Sequence, residues 1–181
     1  MRIEKSISEK TLICDLPHMD PIAVYTEDLG KSCGKLTITI WNEAWSYGWS
    51  GMGDKTIKEF VISCDNSYLF DKLCGRKNGR EPDYVKFCNN LRKDVIRYRR
   101  DGLLNHIQAR KCWNIITYLS DEEMSPEFLF NDHEFERLIK ELGYDIIDVI
   151  TDLPTKPSGD YIHFCKILDT IKEVFKGERD K

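Results

Sequence analysis

The run ITIWNEAWSYGWSGMGDK at residues 38–55 decides how the chain divides, because the spacing of its apolar residues changes within it. From residue 36 to 40, leucine and isoleucine alternate with threonine, which is the period-2 pattern of a half-buried strand. Beyond that point we predict a short helix capped by Asn42, because residues four apart share one face of a helix. Three of the four tryptophans follow this spacing: Trp41, Trp45 and Trp49.

The aromatic stripe has two interpretations. It packs in the chain's own core, or it forms an exposed patch that anchors a protein partner or stacks on bases. We expect Trp45 to be core, because a helix starting at Asp54 gives it apolar neighbours. We expect Trp49, beside the glycine turn, to be more exposed. The predicted partner-binding residues are Trp49, Tyr47 and Trp41.

The segment before residue 36 contributes two further candidate strands. Ile22–Thr26 follows an Asp-Pro pair, Thr11–Leu16 ends at a proline, and the glycine-bearing stretch 28–34 is typical of a turn. We therefore predict an α+β fold in which a small N-terminal antiparallel β-sheet precedes a helical body. The predicted organisation is one domain over residues 1–181, with a β-rich part at about 1–41 and a helical part at about 42–176.

An αα-hairpin is the main feature of the predicted helical body. Apolar stripes run through 84–100 and 104–119, and Gly102 between them suits a left-handed helix stop. His106, Ala109, Trp113 and Ile116 share a neighbouring face of the second helix. The inward residues predicted for that helix are Leu104, Ile107, Cys112, Ile115, Ile116 and Leu119.

Further helices are predicted towards the C-terminus. One runs from the cap Asn131-Asp132 to Gly143, and the last runs from Ser158 to Gly177. The segment 144–153 fits a helix or a strand equally well, whereas 121–135 is expected to be an acidic loop.

Composition excludes several classes of protein. Hydrophobic residues make up 41% of the 181 residues, enough for a packed core. The longest apolar runs are about five residues, far below a membrane span, and the N-terminus has no hydrophobic signal region. The seven cysteines are scattered, with no paired metal-binding spacing. These features favour a cytoplasmic protein with reduced thiols and no membrane partner.

Charge is distributed unevenly along the chain. Residues 72–111 hold twelve basic and four acidic side chains, for a net +8, whereas residues 121–152 hold eleven acidic and two basic ones, for a net −9. The two segments either neutralise each other or form separate binding surfaces. The residues predicted to bind nucleic acid or an acidic partner are Lys93, Arg97, Arg100, Arg110 and Lys111.

No catalytic, cofactor or metal signature is present in the sequence. It lacks a nucleophile elbow, a HExxH pair and a glycine-rich phosphate loop, and its four histidines are far apart. An enzyme would need a site assembled from distant residues. We predict a non-enzymatic protein with no catalytic residues, no cofactor and no metal.

Two sets of motifs resemble a family of small phage and prophage accessory proteins over residues 38–119, with a looser similarity in 157–175. The first set is WNEAW at 41–45, Met52-Gly53 and FxxxCDxxYLxxKL at 60–73; the second is IRYRRDGxL at 96–104 followed by ARxxW at 109–113. The β-rich first thirty-five residues and the acidic 121–135 segment depart from the family pattern. The resemblance implies a context, a dispensable phage gene product acting in the host cytoplasm, and no site residues.

Besides an enzyme with a site assembled from scattered residues, two functions remain open. The first is an accessory protein that binds a host protein or complex, with inhibition of a defence system as one form. The second is a nucleic-acid-binding accessory of phage recombination or replication that acts through the basic hairpin. The sequence predicts neither the identity of the partner nor the oligomeric state.

Overall fold

A meander of four antiparallel strands begins the described chain, in the spatial order β1-β2-β3-β4. The structure, a computed structural model, describes residues 8–75, 79–122 and 124–179. The predicted β-rich part is therefore confirmed from residue 8, and residues 1–7 lie outside the described part. The strands are β1 (Ser8–Ile13), β2 (Ile22–Gly30), β3 (Cys33–Ile40) and β4 (Glu43–Trp49).

Strand β4 corrects the prediction of a tryptophan-bearing helix. Its register with β3 pairs Ile38 with Trp45 and Leu36 with Tyr47. A spacing of four residues is also a multiple of two, so tryptophans four apart share a face of a strand as well as of a helix. The aromatic residues of β4 alternate with alanine, serine and glycine, and aromatic side chains favour strands. The β-rich part thus extends to residue 49, not 41.

Three helices cover one face of this sheet: α1 (Ile57–Ser63), α2 (Asn66–Leu73) and α8 (Gly159–Arg179). Helix α1 begins after the N-cap Thr56, not at Asp54, and approaches the sheet at Gly34. A Cβ on that glycine would lie 3.0 Å from Cβ of Ile57. The predicted stop of α8 at Gly177 is wrong, because this helix continues to Arg179.

The middle of the chain is helical and contains the predicted hairpin, α3 and α4. Arg92 near the middle of α3 donates to Ser120 at the end of α4 (Nη2–Oγ 2.7 Å), so the two helices run antiparallel. Gly102 between them has φ +78°, as expected for a left-handed stop. The helices are α3 (Tyr84–Arg100), α4 (His106–Asp121), α5 (Pro126–Asn131), α6 (His133–Glu141) and α7 (Ile146–Thr151).

Three details of this helical region differ from the sequence predictions or go beyond them. Ile107 points outward, with 68% of its surface exposed, because it lies on the opposite side of α4 from Cys112 and Ile116. The expected acidic loop contains helix α5, which starts at the N-cap Ser125 with a proline in its first turn. The ambiguous segment 144–153 contains a helix, α7, with Asp145 as its N-cap.

The chain forms two compact units. Unit 1 contains the sheet with α1, α2 and α8, and unit 2 is residues 80–156, inserted between α2 and α8. Two short strands, β5 (Arg80–Pro82) and β6 (Thr155–Pro157), pair where the chain passes between the units. The architecture confirms the α+β fold class, and the prediction of a single domain stays a prediction. None of the described helices is long and apolar enough to cross a membrane.

Candidate partner-binding groove on the helical hairpin

A shallow groove of about 300 Å³ runs between α3 and α4 of unit 2. Its floor and walls are apolar, and its borders carry cationic or imidazole side chains. The lining residues are Val95, Ile96, Arg99, His106, Ala109, Arg110 and Trp113.

Helical periodicity explains why these residues meet. Val95 and Arg99 are one turn apart on α3, and His106, Ala109 and Trp113 follow each other at i, i+3 and i+7 on α4. Ala109 has too little side chain to fill the space between the helices, so the ring of Trp113 remains 39% exposed beside it. The groove therefore results from the spacing of these residues along the two helices and from the small side chain of Ala109.

The two arginines of the groove have no ion-pair partner within the described chain. Arg99 and Arg110 are exposed, and neither makes an ion pair with any described residue. No acidic residue appears among the groove-lining side chains. An unpaired guanidinium beside an apolar surface presents both a charge and a flat face to a ligand. The groove thus combines features suited to carboxylates and to large apolar side chains.

Arg97 has a different environment from the two groove arginines. Its Nη2 lies 2.7 Å from Oδ1 of Asp94, and its guanidinium sits 5.0 Å from the ring centroid of Tyr98. The Asp94 carboxylate raises the pKa of Arg97 above its ordinary value. Arg97 is therefore occupied by contacts within its own helix.

The structure brings only one of the five predicted basic residues, Arg110, into the groove. Lys93, Arg100 and Lys111 are exposed outside it. The binding role of these residues stays a prediction. Arg99 was missed as a site residue, although it follows the buried Val95 by one helical turn. The predicted face of α4 carries His106, Ala109, Trp113 and Ile116. The first three line the groove, whereas Ile116 is buried in the core of unit 2.

The acidic segment 121–152 does not neutralise the basic hairpin through any described ion pair. Its own ion pairs are local, such as Arg137 Nη1 with Glu134 Oε1 at 2.8 Å. Of the two interpretations of the uneven charge, the described contacts therefore favour separate surfaces.

A second cavity in unit 2, of about 410 Å³, has the opposite charge. Tyr144 lies on its wall and donates its hydroxyl to Asp94 (Oη–Oδ2 3.0 Å). Burial, with hydrogen bonds to Tyr98 and Asp94, raises the pKa of Tyr144 well above its ordinary value. Asp94 thus joins Arg97 and Tyr144 on the side of α3 away from the groove. The acidic lining residues are Asp94, Asp145, Asp148 and Asp152.

The aromatic residues of β4 reverse the expected order of exposure. Trp49 is 7% exposed, and its Nε1–H donates to Tyr68 Oη at 3.1 Å, so the expectation of an exposed Trp49 is wrong. Trp45 is half-buried with its ring 5.0 Å from that of Phe164, and Tyr47 is also half-buried. Trp41 is 79% exposed. Partner binding by the aromatic stripe stays a prediction, and Trp41 is its accessible member.

A smaller cavity of about 120 Å³ lies in unit 1 between β4, α2 and α8. Cys74 and His163 both line it, beside Glu43 and Asp160. The imidazole of His163 makes no hydrogen bond to any described residue. Among the residues that the structure describes, no cluster of histidine, cysteine or acidic side chains is arranged to hold a metal ion.

Fold and groove together define an α+β protein whose helical hairpin carries a mixed basic and apolar groove. A family model described as Phage family, Phage_phiTE_072, matches residues 1–177. The chain therefore belongs to this phage protein family. Comparisons with curated proteins and with solved structures gave no match.

Proposed function

We propose that this phage protein is a non-enzymatic accessory protein that binds a host protein through the α3–α4 groove. The observation that carries the proposal is the half-exposed Trp113 flanked by two arginines, Arg99 and Arg110, that have no acidic partner in the described chain. Tryptophan and arginine are the residues most enriched at the centres of protein interfaces. The phage context favours action in the host cytoplasm, and blocking a defence system is the role that we expect.

The surroundings of the groove support a protein partner over a nucleic acid. Leu103 and Ile107 on the same hairpin are 69% and 68% exposed, more apolar surface than phosphate binding requires. Unit 2 as a whole has twelve basic and fifteen acidic residues, a net charge of −3. A net negative unit repels a long polyanion, although a local basic patch still attracts a few carboxylates that come into direct contact with it.

The proposal is tested by affinity capture from host lysate with and without nuclease. We compare the tagged wild type with Arg99→Glu/Arg110→Glu and with a matched control, Lys166→Glu/Lys176→Glu, on exposed positions of α8. Both variants change the net charge equally, so only the groove distinguishes them.

We expect a host protein that is captured by the wild type and the control, is lost with the groove variant, and is unaffected by nuclease. Capture that disappears on nuclease treatment would assign the hairpin to nucleic-acid binding instead. A groove variant that captures the same host proteins as the wild type would overturn the proposal.

A further inference from the structure

We infer that the segment bound in the groove is an acidic amphipathic helix of the partner, with carboxylates on both sides of an apolar stripe. This inference rests on the proposed function and specifies its partner. It follows from three properties of the groove: its length, its charge, and the lack of groups in its lining that could hydrogen-bond to the backbone of an extended peptide.

The length of the groove fits two turns of helix. On α4 the lining residues span His106 to Trp113, which is about 10 Å along the axis. A helix that lies between two others contacts them with residues at i, i+3 or i+4, and i+7, and this is the usual pattern of helix-in-groove recognition. An apolar stripe of two turns on the partner therefore matches the exposed parts of Ile96 and Trp113.

The charges of the groove require acidic residues on both flanks of that stripe. Arg99 lies on the α3 border of the groove and Arg110 on the α4 border, and neither has an ion-pair partner among the described residues. A helix with its apolar face towards the floor presents its flanking positions to the two walls. Glutamate or aspartate at these positions pairs with both guanidinium groups, whereas lysine there would be repelled.

The groove walls favour a helix over an extended peptide. An extended peptide must find hydrogen-bond partners for its backbone, usually at the open edge of a sheet. The lining between α3 and α4 consists of side chains on two helices, with Val95 and Ala109 at its base. A helix satisfies its own backbone groups, so it can lie on an apolar floor without this cost.

The test uses fluorescent synthetic peptides of about 20 residues, long enough to form a helix in water. The parent peptides have leucine, phenylalanine or tryptophan in an apolar stripe with glutamates on both sides. Three matched peptides replace the glutamates with lysines, the apolar stripe with serines, or two central residues with prolines. Binding to the full-length protein is followed by fluorescence anisotropy.

We expect at least one acidic parent peptide to bind the wild type, with each matched peptide at least tenfold weaker. Arg99→Glu/Arg110→Glu should lose at least tenfold for the acidic peptide and gain binding of the lysine-flanked one. This exchange of preference shows that the variant is folded, and Lys166→Glu/Lys176→Glu should bind like the wild type.

Several results would overturn the inference. One is that no acidic parent peptide binds. Another is that the proline peptide binds as tightly as its parent. The third is that a single-stranded oligonucleotide binds the groove more tightly than any acidic peptide does. Groove-dependent capture from lysate together with no peptide binding would remove the helix inference alone. Capture that ignores the groove variant would remove the proposed function.

Discussion

Trp41 and Trp49 lie eight residues apart in one hairpin and have opposite environments. The Trp49 ring packs against Tyr47 and Phe60 and is hydrogen-bonded to Tyr68. Trp41 occupies the two-residue turn between β3 and β4, with φ +49° and most of its surface in solvent. A bulky residue at positive φ is strained, and such strain is often retained for function.

We predict that these two tryptophans respond oppositely to substitution. Trp49→Ala should lower the free energy of unfolding by about 3–5 kcal/mol, because it removes a large buried ring. Trp41→Asn should cost no more than about 0.5 kcal/mol, because asparagine tolerates the left-handed turn. Urea unfolding followed by circular dichroism measures both. Unchanged stability of Trp49→Ala would contradict the packing described here.

Burial also determines how fast the thiols of individual cysteines react. Cys88 and Cys112 are buried in the core of unit 2, and burial raises the pKa of both thiols. Less thiolate at a given pH means slower alkylation. We predict that iodoacetamide at about pH 8 labels the exposed Cys14 rapidly and labels Cys88 and Cys112 only after unfolding. Mass spectrometry of the labelled peptides checks this order, which rapid labelling of Cys112 in the native protein would contradict.

Among the helices and strands, the sequence correctly predicted those in which the spacing of apolar residues fits only one type of secondary structure. The apolar stripe predicted for 84–100 repeats over four turns, and α3 buries Phe87, Cys88, Leu91 and Val95 on that stripe. Strand β4 was misassigned because its tryptophan spacing suits two periods, and pairing with β3 decides between them. Arg99 was missed as a site residue because its membership of the groove depends on the way α4 packs beside α3.

The caps of α1 and α2 make their stability depend on pH. The Asp65 carboxylate accepts hydrogen bonds from the Ser67 hydroxyl and the Tyr68 N–H, which lower its pKa. The backbone N–H and hydroxyl of Thr56 lower the pKa of Glu59 in the same way. A carboxyl group whose pKa is lowered in the folded protein stabilises the fold when the pH is above the ordinary pKa of that group. This stabilisation is lost as the pH falls through the lowered pKa.

We therefore predict a loss of stability that begins below about pH 5 and continues as the pH falls. Asp65→Asn with Glu59→Gln should keep both caps, because the amides accept the same hydrogen bonds without titrating. The double variant should resemble the wild type at neutral pH and lose less stability in acid. Urea unfolding at several pH values measures the difference, and parallel pH profiles would contradict this account of the caps.

For the whole molecule, the insertion of unit 2 into unit 1 is the dominant feature. The N–H of Ser158 donates to the carbonyl of Gly79 at 3.0 Å, so the two points where unit 1 is interrupted are adjacent. Unit 1 draws its core from both sides of the insertion, whereas unit 2 is continuous in sequence.

We predict that residues 80–156 fold when expressed alone, and that unit 1 folds when a short glycine-serine linker replaces them. A chain ending at residue 156 should keep unit 2 folded and lose unit 1, because α8 supplies Phe164, Ile171 and Phe175 to that core. Amide hydrogen exchange distinguishes the two units in each protein. Failure of residues 80–156 to fold alone would favour the single-domain interpretation.

The inserted arrangement also sets the order in which the chain matures on the ribosome. The sheet and α2 are synthesised first, and a further 86 residues must be added after Leu73 to reach the first residue of α8. At 5–20 residues per second this delay is roughly 4–17 s, during which the apolar face of the sheet lacks its longest covering helix. Unit 2 is complete before that helix emerges. Slow translation therefore prolongs the exposure of a nascent sheet, and during that time the exposed apolar face is open to aggregation.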